Sequence, residues 1–107
     1  MKAKPVLEAK EGEPGCYRLL GEISFATVGE FDRRMDPKLF AYSVISIDLA
    51  GVSRADSAGL ALLLAWVKIA RSQSAELSLE NFPNQLLAIA RVGGVDDLLP
   101  ISSLSGV

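Results

Sequence analysis

Ile47-Asp48-Leu49-Ala50-Gly51-Val52-Ser53-Arg54-Ala55-Asp56-Ser57-Ala58-Gly59-Leu60-Ala61-Leu62-Leu63-Leu64 carries the decisive pattern of this chain. An apolar, alternating run ends on an acidic residue. A short loop follows, and Asp56-Ser57-Ala58-Gly59 opens a strongly apolar helix. The Ser57 hydroxyl falls at the helix N-terminus, where unpaired backbone N–H groups and the positive end of the dipole favour an oxygen or an anion. A serine so placed either caps the helix or stands exposed as a switch that a phosphate or a partner protein reads. As a cap it is worth about 1 kcal/mol, and Asp56 competes for that position.

Working outward, Val44 to Leu49 is the clearest strand: Ile45, Ile47 and Leu49 alternate with Val44, Ser46 and Asp48. A helix from about Ala58 to Arg71 and a strand from Glu76 to Glu80 complete a βαβ unit, whose strands should be parallel and whose crossover should be right-handed. Pro83 suits the first turn of a further helix with Leu86, Ile89 and Ala90 inward, ended by Gly93-Gly94. Asp97 to Ile101 reads as a last short strand or turn, and Ser102 to Val107 as a loose tail. On the other side, Val6 to Ala9 and Cys16 to Leu20 form a hairpin around Glu11-Gly12-Glu13-Pro14-Gly15. Thr27-Val28-Gly29-Glu30 matches a capping box, followed by a short amphipathic helix with Val28, Phe31 and Met35 on one side, closed by Pro37. The sum is an α/β sandwich: a mixed four- to five-stranded sheet, a hairpin at its start, and helices largely on one side, in one domain over residues 1–107.

On a helical wheel, Leu60, Leu63, Leu64 and Val67 form the stripe expected on the sheet. Leu62, Trp66 and Ile69 make a flanking row, either covered by neighbouring helices or left as a docking face. A third row, Ser57, Ala61, Ala65, Lys68 and Ser72, points furthest from the core. Its small side chains let another protein's backbone come close. Lys68 and Arg71 oppose the negative end of the helix dipole.

Composition narrows the chemistry. The chain has 107 residues, half of them hydrophobic and 22% charged, as expected of a folded globule. A formal charge of −2, with no Lys/Arg cluster, argues against nucleic-acid binding. Cys16 is the only cysteine, which excludes an intramolecular disulfide. No signal region follows Met1-Lys2-Ala3-Lys4-Pro5. The apolar decamer Ala58 to Val67 is about half the ~20 residues a spanning helix needs. The expected location is therefore cytoplasmic, with any membrane attachment made through another protein. There is no histidine, so Ser–His and Cys–His dyads cannot be built, and one cysteine makes no ordinary zinc site. No phosphate-binding Gly-x-x-x-x-Gly-Lys-Ser/Thr loop occurs. Asp96-Asp97, and Glu11 with Glu13, lie in turn-like segments as solvated carboxylates. The expectation is a non-catalytic chain with no metal and no cofactor.

Gly21-Glu22-Ile23, Thr27 through Phe31, Ile47-Asp48-Leu49 and Asp56-Ser57-Ala58-Gly59-Leu60 together resemble the STAS domain, the module of bacterial anti-sigma-factor antagonists and of sulfate-transporter tails. Within that family Ile47-Asp48-Leu49, Val52-Ser53-Arg54, Asp56-Ser57, Gly59 through Leu64 and Ala70-Arg71 are most similar to the STAS subunits of phospholipid-transporting ABC complexes, which often carry threonine at the position of Ser57. The resemblance implies a cytoplasmic subunit that binds the ABC transporter ATPase subunit and supports its assembly and activity. The implied contact is made by Ser57 and the helix behind it, with Asp56, Arg54, Ala58, Ala61, Ala65 and Lys68 as the partner-binding and regulatory set. The alternative is an anti-sigma-factor antagonist, in which the residue matching Ser57 is phosphorylated by the anti-sigma kinase.

Overall fold

In the computed structural model, which describes residues 4–29 and 41–105, four strands form one sheet in the order β1-β2-β3-β4. They are β1 (Val6–Ala9), β2 (Cys16–Ile23), β3 (Val44–Ala55) and β4 (Glu76–Glu80). β1 pairs antiparallel with β2, whereas β2 with β3 and β3 with β4 are parallel, so the sheet is mixed as expected. Helix α1 (Ser57–Ser72) connects β3 to β4, and α2 (Asn84–Val92) follows β4 and packs against α1. The helix expected to continue through Phe31 and Met35 to Pro37 lies outside the described residues.

β3 is twice the length its alternation announces. Ile45, Ile47 and Leu49 are buried in strict period two, after which Ala50 and Gly51 are both exposed and the pattern breaks. Two register shifts against β2 account for this: Arg18 pairs with Asp48 but Leu20 with Gly51, and Gly21 pairs with Val52 but Glu22 with Arg54. Each shift places an extra residue on β3, and a bulge of that kind turns the side chains out of phase. The Asp48 Oδ1 accepts the Ala50 N–H at 2.9 Å, steadying the first bulge. Gly51 lies under the Leu20 side chain: a Cβ on it would sit 2.2 Å from Leu20 Cδ2, so a larger residue there needs that side chain to turn aside.

The core lies between the sheet and the helices. Leu19, Ile23, Ile45, Ile47, Leu49, Leu77 and Leu79 supply the sheet side. The buried face of α1 comprises Gly59, Leu60, Leu62, Leu63, Trp66, Val67 and Ala70. This corrects the wheel. Leu62 (4% exposed) and Trp66 (0%) belong to the core, Ile69 is partly buried against it, and Leu64 is only half-buried. Leu62 and Trp66 of the flanking row are therefore covered within the chain, and Ile69 is covered in part. The true centre of the buried face runs through Gly59, Leu63, Trp66 and Ala70. Gly59 sets this rotation: a Cβ there would lie 2.2 Å from the Ile23 carbonyl oxygen, so the first turn of α1 rests directly on the end of β2. In α2, Leu86, Leu87 and Ala90 are buried and Ile89 is half-buried.

The C-terminal tail is also corrected. After a 3₁₀ turn at Asp96–Leu98, the chain lies parallel to β4 through bridges of Leu79 with Ile101 and Phe82 with Leu104. Leu79 N–H donates to the Pro100 carbonyl, Ser102 N–H to Leu79, Phe82 N–H to Ser103 and Ser105 N–H to Phe82, each at 2.9 Å. The segment expected to be loose is thus bonded as far as Ser105 and covers the open edge of β4.

Candidate functional site

β2 and β3, being parallel, end side by side, with Ile23 paired to Ala55. The chain leaves β2 into a turn at Ser24–Thr27 and leaves β3 through Asp56 into α1. Loops at the carboxyl ends of parallel strands are where α/β folds place their sites, and here two such loops are tied together.

The tie is Asp56. Its backbone is extended and its side chain caps α1: Oδ1 accepts the N–H of Ala58 at 2.9 Å and of Gly59 at 3.4 Å. The other oxygen, Oδ2, accepts the N–H of Phe25 at 3.1 Å. Burial pushes the Asp56 carboxyl up, but the Phe25, Ala58 and Gly59 N–H groups and the nearby Arg54 charge outweigh it and hold the group below its ordinary value. Of the two residues competing for the cap, Asp56 has it. Ser57 is instead the first helical residue and is exposed, and among the described residues its hydroxyl has no hydrogen-bond partner. The structural role that would have explained Ser57 is filled by its neighbour.

The turn from β2 is built from hydroxyls. Ser24 Oγ donates to the buried Glu22 carboxylate at 2.5 Å and accepts the Ala26 N–H at 3.2 Å. Thr27 Oγ1 accepts the Ser24 N–H at 3.0 Å and donates to the Glu22 carbonyl at 2.7 Å. Thr27 therefore reaches backwards into the turn. Val28 N–H donates to the Ser24 carbonyl at 2.9 Å and closes the turn, and helical residues begin at Val28, directly after Thr27. Glu30, the other half of the expected capping box, lies outside the described residues. At the tip of the turn stands Phe25, 87% exposed.

The outer row of α1 is where the wheel placed it. Ser57, Ala61, Ala65, Lys68 and Ser72 are all exposed, diametrically opposite the Gly59–Leu63–Trp66–Ala70 line. Arg54, at the end of β3, is exposed, and Ala58 is half-buried. Two shallow grooves border the row. One is lined by Val28, Gly29, Ala58, Ala61, Leu62 and Ala65. The other is lined by Leu64, Val67, Lys68, Arg71 and Leu98. Among the described residues no group of three His, Cys, Asp or Glu side chains is placed to hold a metal ion, and no helix is long and apolar enough to cross a membrane.

The structure thus brings together Asp56, Ser57, Ala58, Ala61, Ala65 and Lys68 along α1, with Arg54 at the start. It adds Phe25, which sequence reasoning missed. Only the contact between the Phe25 N–H and Asp56, 31 residues apart, brings the first turn against the head of α1. The available signal was the run of hydroxyls, Ser24 and Thr27, closing a strand that begins apolar.

A mixed sheet with a β3–α1–β4 crossover and a capped, outward-facing α1 defines a class. The family model described as "Mlab, STAS domain" matches residues 6–100, and the chain belongs to the STAS domain family. A curated relative, the anti-sigma-B factor antagonist of Bacillus subtilis (strain 168), is 28% identical over 87 residues, covering 81% of this chain and 80% of that protein. Among solved structures, one titled "The overall structure of SLC26A9" aligns with a TM-score of 0.63 at 16% identity, over 94% of this chain. This chain spans 22% of that protein, and the likeness is one of fold.

Proposed function

We propose that this chain is a non-catalytic binding subunit that docks the ATPase of a phospholipid-transporting ABC complex through the outer row of α1, on the cytoplasmic side of the membrane. The complex it serves moves phospholipid between the two membranes of a Gram-negative envelope and maintains outer-membrane lipid asymmetry. The observation that carries the reading is Ser57. Asp56 has taken the cap, so among the described residues the serine hydroxyl has no partner, and it stands at the head of an exposed strip of small residues. A strip of alanines admits a partner's backbone at close range, and the Mlab-type family match supports a partner of transporter kind.

The test is co-purification of the full chain with the ATPase subunit, followed by titration of variants. Ser57→Glu and Ala61→Arg place a charge in the contact, where an unpaired buried charge is costly, and each is expected to weaken the complex tenfold or more. Binding by both variants at wild-type strength overturns the reading.

The likeness to an anti-sigma-B factor antagonist favours a second reading, in which Ser57 accepts a phosphoryl group from a partner kinase. A phosphate there adds about −1.5 to −2 charges beside Asp56 and changes the docking surface without unfolding α1. Mass spectrometry of the protein from cells decides between the two: phosphoserine at position 57 supports the antagonist, and its absence across growth conditions supports the transporter subunit.

A further inference from the structure

We propose that Asp56 is a positioning residue that presents Phe25 as an aromatic anchor to the same protein partner that docks on α1; the inference rests on the reading of α1's outer row as that docking surface. Phe25 is 87% exposed and stands outside the buried core, and what sets it apart from the other exposed apolar side chains is how its backbone is held. On a mobile loop it would have to be immobilised on binding. Here its backbone is already held. The Phe25 N–H donates to Asp56 Oδ2 at 3.1 Å, and the next N–H, of Ala26, donates to Ser24 Oγ at 3.2 Å. The opposite oxygen of the same carboxylate is bonded to the first turn of α1. One side chain therefore fixes where Phe25 sits relative to Ser57. An aromatic on a backbone held in this way has only its own side-chain torsions to lose on association, and aromatics dominate the energetics of protein interfaces.

The chemistry of the surroundings selects a protein with an apolar pocket. The phenyl ring offers no polar atom for a phosphate or a base edge. The Asp56 carboxylate is bonded to the Phe25 N–H, that of Glu22 to the neighbouring Ser24 hydroxyl, and the chain's net charge is −2, which disfavours an anionic membrane surface.

Asp56→Asn separates the two bonds. Asparagine is as good a helix cap as aspartate, so its carbonyl oxygen keeps the Ala58 and Gly59 N–H groups, while its NH₂ meets the Phe25 N–H and cannot accept it. In the free protein, the amide-proton resonance of Phe25 should move upfield in Asp56→Asn while those of Ala58 and Gly59 stay near their wild-type positions. Calorimetric titration of the full chain against the ATPase subunit should show Phe25→Ala weakening the complex about tenfold or more. Asp56→Asn should weaken it as well, and the double variant should bind no more weakly than Phe25→Ala alone, because Asp56 acts through Phe25. Wild-type affinity in Phe25→Ala, while Ala61→Arg loses binding, overturns the inference and leaves the α1 reading intact. Additive losses, an unmoved Phe25 resonance, or Phe25-dependent sedimentation with phosphatidylglycerol vesicles also overturn it. If Ala61→Arg and Ser57→Glu bind as wild type, the docking surface itself falls.

Discussion

Replacing Asp56 by alanine frees the N–H groups of Phe25, Ala58 and Gly59 at once. Loss of a helix cap alone costs about 1 kcal/mol, with 2 kcal/mol as the upper end, and chemical denaturation of Asp56→Ala should show a loss toward that upper end. The same carboxylate makes stability depend on acid. Burial works against its charge, but the three N–H groups and Arg54 hold it below the ordinary carboxylate value, so its contribution is present above that value and is lost as the pH falls through the lower, folded one. The wild type should therefore lose stability below about pH 4, and the slope should be shallower in Asp56→Asn. Asp48 adds to the slope in the same direction. Burial pushes it up, and the hydrogen bonds from Asn81 and the Ala50 N–H, with Lys10 nearby, more than offset that. Gly59 is the other residue whose identity is dictated. Its missing Cβ leaves room for the Ile23 carbonyl. Gly59→Ala should destabilise the fold by about 1–3 kcal/mol through overpacking, outweighing the roughly 1 kcal/mol that alanine gains over glycine in a helix.

Helix α1 shows how far a wheel carries at the scale of an element. The apolar residues of this helix span more than half of its circumference, so their spacing alone leaves the rotation of the buried face undetermined. Contact of Gly59 with the end of β2 settles it and places Trp66 at the centre of the core and Leu64 at its margin. Trp66→Ala should accordingly cost about 3–5 kcal/mol, and Leu64→Ala distinctly less, read as the difference in denaturation midpoint. The exposed row was legible from the start. Ser57, Ala61, Ala65, Lys68 and Ser72 include no large apolar side chain, and a strip of that kind faces outwards whichever way the apolar arc turns. Strand β3 is the opposite case. Its second half is hidden by two bulges that come from pairing with β2, and period two is no guide across a bulge.

Across the whole molecule, the four-stranded sheet has two edges to protect. β1 is four residues long with Glu8 on it, a short charged edge that resists further pairing. β4 is covered by the C-terminal tail, whose bonds to Leu79 and Phe82 extend the sheet by two isolated bridges. Ending the chain after Leu99 removes those bonds and uncovers the edge. Such a truncation should unfold at lower denaturant than the full chain and should self-associate in sedimentation velocity runs where the full chain does not.

Local patterns in the sequence determined the βαβ unit, the mixed sheet with its leading hairpin, and the position of Asp56 and Ser57 at the head of an apolar helix. These follow from spacing between near neighbours and from turn residues, which act within a few positions of the chain. Only the tertiary structure decided which of those two residues caps α1, how the helix is rotated, that Phe25 is bonded to Asp56, and that the tail lies along β4. Each of those outcomes depends on a contact between residues far apart in sequence, such as the Ile23 carbonyl against Gly59 or the Phe25 N–H against a carboxylate 31 residues on. No periodicity records such contacts, because they arise only after the elements have packed.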